Sequence, residues 1–451
     1  MGGHSALHDR ALDRLSHGEP QPAIELLREA IAETLDPEIV NDLAVVLAEQ
    51  GEPAQAVQLL RGLLLMYPGC APAEANLHRL EAEPRAGQSS TTGSPAPPEA
   101  RAAFLQLIAE SQALVLPDNL DPLFHPYGHA LPPPETVGQR LAEQLAVLEQ
   151  ASVLWRQLGD EASRELWLRF LAYRALGPAH VRLQLDPAEY RRTVIGLSSQ
   201  LMLRPSAVPT PGMPFEWGMH HYDLGPSGVP VQVIGPPLAL ASTYFFSQYA
   251  YRDGTTGARP RAGDVAVDAG GCWGDTALWL AHVVGDRGTV HTFEPAPRNR
   301  HLLAGNLQLN PALARRIRVH DAPLGPRAGE SVWIDDIIGA GATVGDQPDT
   351  DHGSKSIPLR TESIDALVHG GEIERVDFLK VDVEGADLGV LQGAATTIAA
   401  QRPRLAIAAY HRPDDLVAIP DFIASLGVEY RWYLQCSTMT DIDTVAFAVP
   451  A

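Results

Sequence analysis

The chain has 451 residues, more than one ordinary domain needs and enough for about two to four. Hydrophobic residues make up 45% and charged residues 20%, which excludes a wholly disordered polypeptide. The formal net charge of −21 repels phosphate backbones and anionic bilayers, so neither nucleic acid nor a membrane is an expected partner.

Cys70, Cys272 and Cys436 are far apart and show no CxxC spacing. They argue against a disulfide scaffold or structural zinc and fit a reducing cytoplasm. The start, MGGHSALHDRALDR, lacks a basic stretch followed by an apolar one, so no secretory leader is expected. No apolar run approaches the roughly 20 residues of a membrane-spanning helix.

Residues 1–83 have helical periodicity and repeat themselves. HGEPQPAIELLREAI at 17–31 matches QGEPAQAVQLLRGLL at 50–64 in seven of fifteen positions, among them Gly18/Gly51, Ala23/Ala56 and Leu26-Leu27/Leu59-Leu60. Gly closes one helix, Pro opens the next, and Ala with paired Leu marks close helix packing. A period near 34 with this pattern resembles the tetratricopeptide repeat. About one and a half to two repeats are present, with Ala73–Glu83 as a capping helix. An array this short leans on other parts of the protein or on a second copy, and a homodimer is the expected assembly. The repeats offer a surface for a protein partner. The segment 84–99, PRAGQSSTTGSPAPPE, has the composition of a flexible linker.

Residues 100–260 form an intermediate region. Helical patterns cover most of 100–177, interrupted by the Pro-rich break at Leu131–Glu135. His180–Leu185 is predicted as a short strand, Tyr222–Ile234 as a hairpin turning at Gly-Pro-Ser-Gly, and Thr243–Tyr251 as a helix.

From 261 to 451 strands and helices alternate. Predicted strands are Val265–Asp268, Gly288–Phe293, Ile317–His320, Val332–Ile334, Val376–Val381 and Arg404–Ala409, with Tyr430–Gln435 and Thr444–Val449 as a final antiparallel pair. Helices are predicted at Asp275–Val284, Ala296–Leu309, Ala386–Ile398 and Pro413–Leu426. The pattern predicts an α/β fold, a mainly parallel sheet covered by helices on both faces, with ligands at the carboxyl ends of its strands.

Five strand ends carry the chemistry. The first reads VAVDAGGCWGDTALWLA. Its spacing, D-x-G-G-x-x-G, departs from the G-x-G-x-x-G of dinucleotide sites, which disfavours a nicotinamide-dependent oxidoreductase. Gly270, Gly271 and Gly274 let the backbone approach a ligand, and Asp268 suits an ammonium or sulfonium better than a diphosphate. The second, TVHTFEP, ends in Glu294, placed to accept ribose hydroxyls. Asp321, ending the third strand, is a candidate for the adenine edge. The fourth is VDFLKVDVEGAD, where Lys380, Asp382 and Glu384 alternate and share one side. Tyr410 and His411 end the next strand, and His411 is the candidate proton acceptor, with Asp382 second. Asp382 and Glu384 are hard oxygen donors, but no third carboxylate stands at a suitable spacing, so no metal is assigned. Gly339–Ser356 is polar and Gly-rich, a surface loop or a lid.

Taken together, DAGGCWGDTA at 268–277, FEP at 293–295, NLQLNP at 306–311, DFLKVDVEGAD at 377–387 and YHRPDDL at 410–416 resemble the FkbM family of S-adenosylmethionine-dependent methyltransferases. FFSQYAYRD, with Gln248 and Tyr249, resembles the segment that enters this domain. The resemblance implies a class I, Rossmann-like methyltransferase sheet at the C-terminus and S-adenosylmethionine as cofactor. It implies O-methylation of a hydroxyl on a natural product, a sugar or a carrier- or peptide-linked acceptor. Cofactor contacts would then come from Asp268, Gly270, Gly271, Trp273, Gly274, Glu294, Pro295, Asp321 and Asp382. The catalytic set is His411, Asp382, Lys380 and Glu384, and the acceptor contacts are Gln248, Tyr249, Tyr410 and Cys436. Related sequences tend to carry a His near the last strands where this chain has Gln435-Cys436, which points to a different acceptor. A competing expectation is an interaction module in which the repeats recruit partners and the methyltransferase-like domain is a scaffold or sensor.

Overall fold

The computed structural model describes residues 6–33, 36–50, 56, 59–60, 63, 70–82, 97–119, 134–205, 218–252, 256–335, 344–345 and 356–451. The expected linker at 84–99, the second repeat copy at 50–64, the break at Leu131–Glu135 and the loop Gly339–Ser356 lie wholly or mostly outside them. Two compact units emerge, one from 1–120, 128–152 and 168–181, the other from 121–127, 153–167 and 182–451.

The first unit is helical. Helices Ala6–Ser16, Pro20–Glu33, Pro37–Glu49 and Ala71–Ala82 gather Leu7, Ala11, Ile24, Leu27, Ala30, Leu43 and Leu47 into one apolar core. Small Ala residues inside that core let the helices approach closely. Asp36 caps the helix Pro37–Glu49 by accepting from the Glu38 N–H at 2.9 Å. Helices Pro98–Gln112 and Pro134–Gln150 follow. Among the described residues no helix is long and apolar enough to cross a membrane.

The second unit is built on seven strands: β1 (Val265–Ala269), β2 (Thr289–Phe293), β3 (Ile317–His320), β4 (Phe378–Val381), β5 (Arg404–Ala408), β6 (Tyr430–Cys436) and β7 (Thr444–Pro450). Their order across the sheet is β6-β7-β5-β4-β1-β2-β3. Strands β1 to β5 run parallel, and β7 enters antiparallel between β5 and β6. This mixed sheet, covered by helices, is the fold that the family resemblance implies. Strands β1 and β4 are buried along their whole length, as central parallel strands must be. The β1-to-β2 and β2-to-β3 crossovers use helices Asp275–Val284 and Pro297–Leu309.

Three elements differ from expectation. His180–Leu185 is irregular rather than a strand; its alternating Val181, Leu183 and Leu185 are buried from a loop, which mimics the strand period. The helix at Thr243–Tyr251 is only a short turn over Ala241–Phe245, because Ser247 takes φ 54 and redirects the chain. Ala386–Ile398 splits into Asp387–Gln392 and Ala395–Gln401. At the break Gly393 packs so closely that a Cβ there would lie 2.1 Å from the Gly325 carbonyl oxygen. The strand predicted at Val332–Ile334 forms, but in a separate small sheet with Val344–Gly345 and Ser356–Arg360.

The NLQLNP run has a structural role. Asn306 and Asn310 are one turn apart on the helix side facing the hairpin strand Gln232–Gly235, which pairs antiparallel with His220–Asp223. Asn306 Oδ1 accepts the Ile234 N–H at 2.7 Å, and its Nδ2 donates to Ile234 O at 2.9 Å and Trp273 O at 2.8 Å. Asn310 does the same for Gln232, accepting its N–H at 2.9 Å and donating to its carbonyl. Two amides thus replace a missing neighbour strand. Asn306→Ala leaves three buried backbone groups without partners. It is expected to lower stability by roughly 3–5 kcal/mol, read as a fall in the urea unfolding midpoint, with the larger cost at Asn306 than at Asn310.

Candidate functional site

The cleft opens where β1, β2, β4 and β5 end. Strand β1 delivers Asp268 and Ala269, and the chain turns through Gly270–Gly274 into the helix Asp275–Val284. The N–H groups of Gly270 and Gly271 both donate to Phe293 O, at 3.1 and 2.9 Å, which pins the turn to the end of β2. Gly270 has φ +89, and a Cβ there would sit 1.8 Å from the Asp382 carbonyl oxygen. No side chain fits that contact.

Beneath the turn is a buried ion pair. Lys380 and Asp268 occupy register positions on adjacent strands, and Nζ lies 3.1 Å from Asp268 Oδ1. Nζ also donates to the carbonyls of Ala269 and Gly270 and stands 5.3 Å from the centre of the Tyr249 ring. Asp268 Oδ2 accepts from Thr276 at 3.0 Å and Thr292 at 2.8 Å. Burial works against the lysine charge, but Asp268 and Asp382 hold it above its ordinary pKa. The expectation that Asp268 faces the cofactor is therefore revised. The residue is fully buried, and its oxygens are spent on Lys380 and the two threonines. Lys380 also lines the cleft, with its ammonium held by Asp268 and the carbonyls of Ala269 and Gly270.

Glu294 follows β2. Its Oε2 accepts the Cys272 N–H and its Oε1 the Ala296 N–H, both at 2.8 Å. Burial pushes its carboxyl up to about 7, against the lowering effect of those N–H donors, Asn299 and Lys380. Phe293, Pro295, Asn299, Trp273 and Leu324 complete this end of the cleft.

At the other end, Asp382 Oδ2 accepts the Tyr249 hydroxyl at 2.6 Å, and Oδ1 accepts Tyr410 at 3.4 Å. Burial, reinforced by Asp382, raises both tyrosines far above their usual range, so both remain phenols. Glu384 adopts φ 53, a left-handed conformation that is strained for a non-glycine residue. Asp387 holds this turn. Its oxygens accept the Val383 N–H at 3.0 Å and the Gly385 N–H at 3.1 Å, and Oδ2 lies 2.8 Å from His411 Nδ1. Burial would push His411 down, but the hydrogen bond to Asp387 and the charges of Asp382, Asp387 and Glu384 raise it to about 9. Its Nε2 faces Asp382 Oδ1 at 3.4 Å and Glu384 Oε2 at 3.6 Å, and His411 is not among the residues that line the cleft, so the geometry does not favour the base role expected for it.

The remaining expected residues divide. Gln248, Tyr249, Trp273, Pro295 and Tyr410 line the cleft. Gly271 and Gly274 lie behind its wall, Gly274 at the start of the helix. Asp321 is exposed at the end of β3 and does not line the cleft. Cys436 is fully buried, with Sγ 3.1 Å from Thr440 O and 3.4 Å from Thr438 O. Burial raises its thiol to about 11, so it neither reaches an acceptor nor ionises. Two lining carboxylates went unread in the sequence. Asp275, which opens the helix, is raised to about 6 by burial, and Asp443, just before β7, is raised to about 7 by burial and by Asp382.

The cleft encloses about 1020 Å³, including the part open to solvent. Among the described residues lining it, Asp275, Glu294, Asp382, Glu384 and Asp443 face a single basic side chain, Lys380. Such a surplus of acid suits a ligand with sulfonium and ammonium charges and repels a diphosphate. With a carboxylate at Glu294 and an apolar flank at Phe293 and Leu324, the residues fit S-adenosylmethionine, the cofactor that the family resemblance implies. Lys380→Met would leave Asp268 buried and unpaired, at a cost of about 3–5 kcal/mol. Adding Asp268→Asn is expected to recover part of the lost unfolding midpoint; a single variant as stable as the parent would contradict the ion-pair assignment.

Residues 256–430 match the family model of the methyltransferase FkbM domain. No curated protein matches the chain. Among solved structures, methyltransferase FkbM from Methylobacillus flagellatus KT is 20% identical, with a TM-score of 0.42, over 68% of this chain and 60% of its own length. The chain thus spans less than two thirds of that protein. Fibrillarin from Aeropyrum pernix, solved with natively bound S-adenosyl-L-methionine, is 16% identical over 42% of this chain and 67% of its own, with a TM-score of 0.26. Cofactor-bound Rv0187 from MTB is 13% identical over 62% of this chain and 94% of its own, with a TM-score of 0.27.

Proposed function

We propose that the protein is an S-adenosylmethionine-dependent O-methyltransferase acting on a hydroxyl of a natural product, a sugar or a carrier- or peptide-linked acceptor, a reading supported by the match of residues 256–430 to the methyltransferase FkbM domain. The observation that carries this reading is the acidic cleft, with Glu294 at one end and Asp382 at the other.

When bound, S-adenosylmethionine supplies a methyl group already activated on sulfur. Glu294, fixed by two backbone N–H donors, is oriented to accept the ribose hydroxyls. The turn at Gly270 brings backbone rather than side chain to that end of the cleft. Asp382, anchored by Tyr249, offers a hydrogen-bond acceptor to the incoming hydroxyl, and Tyr410 closes the side of the cleft. These residues mainly align the acceptor oxygen and exclude water. Alignment of this kind contributes on the order of 7–11 kcal/mol in well-oriented intramolecular reactions.

The proposal predicts a pH signature in binding. Only the ionised Glu294 accepts two hydroxyl protons, and its carboxyl titrates at about 7. Affinity for S-adenosylmethionine should be constant above that pH and weaken below it, approaching tenfold for each further unit. Glu294→Gln should bind at least tenfold more weakly at pH 8 and lose this pH dependence. Calorimetric titration of the full chain from pH 5.5 to 8.5 would read both effects. Absence of binding to the parent protein across that range would remove the methyltransferase reading.

A further inference from the structure

Asp382 and Glu384 follow β4, and His411 follows the adjacent strand β5. One ligand atom from each lies within 4.8 Å of the others. The His411 side chain is only 8% exposed. Its Nδ1 is engaged by Asp387 Oδ2 at 2.8 Å. Its Nε2 has no hydrogen-bond partner and faces Asp382 Oδ1 at 3.4 Å and Glu384 Oε2 at 3.6 Å. Charge-assisted N–H···O bonds run at about 2.7–2.9 Å, so these ion-pair separations are longer than a direct hydrogen bond. They match two atoms that share one cation, which at about 2.1–2.2 Å from each ligand stand roughly 3.0–3.6 Å apart.

Each of the three side chains is also held from behind. Asp387 orients the imidazole through Nδ1, which turns the Nε2 lone pair toward the carboxylates. The Tyr249 hydroxyl takes Asp382 Oδ2 at 2.6 Å and leaves Oδ1 directed at His411. Glu384 reaches the cluster only through its left-handed backbone, with φ 53. Supporting hydrogen bonds of this kind are what fix metal-binding histidines and carboxylates in place.

We infer that Asp382, Glu384 and His411 form a binding site for one divalent transition cation, Mn²⁺ being the best match. Two carboxylates favour a hard ion, while the imidazole discriminates against Ca²⁺ and Mg²⁺. Three protein ligands leave positions for water or for an acceptor oxygen. The role of the ion in transfer rests on the methyltransferase reading; its binding does not. In that role the acceptor hydroxyl coordinates the ion and releases its proton to solvent. Its oxygen then forms the C–O bond as the methyl–sulfur bond breaks.

The test uses the full chain, stripped of metal with a chelator and dialysed. Mn²⁺ is titrated by electron paramagnetic resonance and S-adenosylmethionine by calorimetry on the same samples. The expected result is one Mn²⁺ per chain, with His411→Ala, Asp382→Asn and Glu384→Gln each weakening Mn²⁺ at least tenfold. Glu384→Gln, at a partly exposed position, should keep the parent's urea unfolding midpoint, which shows that the fold is intact. Glu294→Gln should lose S-adenosylmethionine affinity and retain Mn²⁺. No saturable Mn²⁺ binding, or equal binding by parent and all three cluster variants, overturns the site. Mn²⁺ binding that depends on the cluster, without S-adenosylmethionine binding, upholds the site and overturns the methyltransferase reading instead.

Discussion

The ion pair between Lys380 and Asp268 is the constraint from which the cleft follows. Two opposite charges in the centre of a parallel sheet are expensive to desolvate, and they persist only where every remaining hydrogen-bonding position is filled. Here the filling groups are the carbonyls of Ala269 and Gly270 on one side and the hydroxyls of Thr276 and Thr292 on the other. The pair therefore joins β1, β2, β4 and the first turn of the helix Asp275–Val284. It also holds the Gly270 turn against the backbone of Asp382. The Glu294 end and the Asp382 end of the cleft share this one buried support.

Asp387 plays a comparable part at the acceptor end. Its carboxylate accepts from two backbone N–H groups of the Asp382–Gly385 turn and meets the His411 ring. One side chain thus fixes the turn that aims Glu384 and the imidazole that faces it. The strain of the left-handed Glu384 is offset locally by these bonds.

Much of this was legible in the sequence. Strands β1, β2 and β4 are short apolar runs that end in glycine or acid, and β5 is one that leads to Tyr410 and His411; that contrast marks them. The residues at their ends were found for the same reason. What was not legible depends on neighbours distant in the chain. Asp268 reads as a ligand contact until Lys380 is placed beside it. His411 reads as a base until three carboxylates surround it, and the third donor for a cation was sought among carboxylates near Asp382 when it stands on the next strand. Val181, Leu183 and Leu185 imitate a strand because burial alternates, although no neighbour strand pairs with them. Asp443 sits in a polar run before β7 and carries no local signal; only the β6-β7 pairing brings it to the cleft.

The two halves of the site come from different sides of the sheet. Glu294 and the glycine turn belong to β1 and β2, whereas Asp382, Glu384, His411 and Asp443 belong to β4, β5 and the approach to β7. Strand β4 with its lysine bridges them, as does the segment Thr243–Tyr249, which bonds Asp275 at one end and Asp382 at the other. Such a division makes the two ends mechanically separable: on the methyltransferase reading proposed above, a change in the loops after β5 or before β7 would alter the acceptor end without touching Glu294 or the glycine turn.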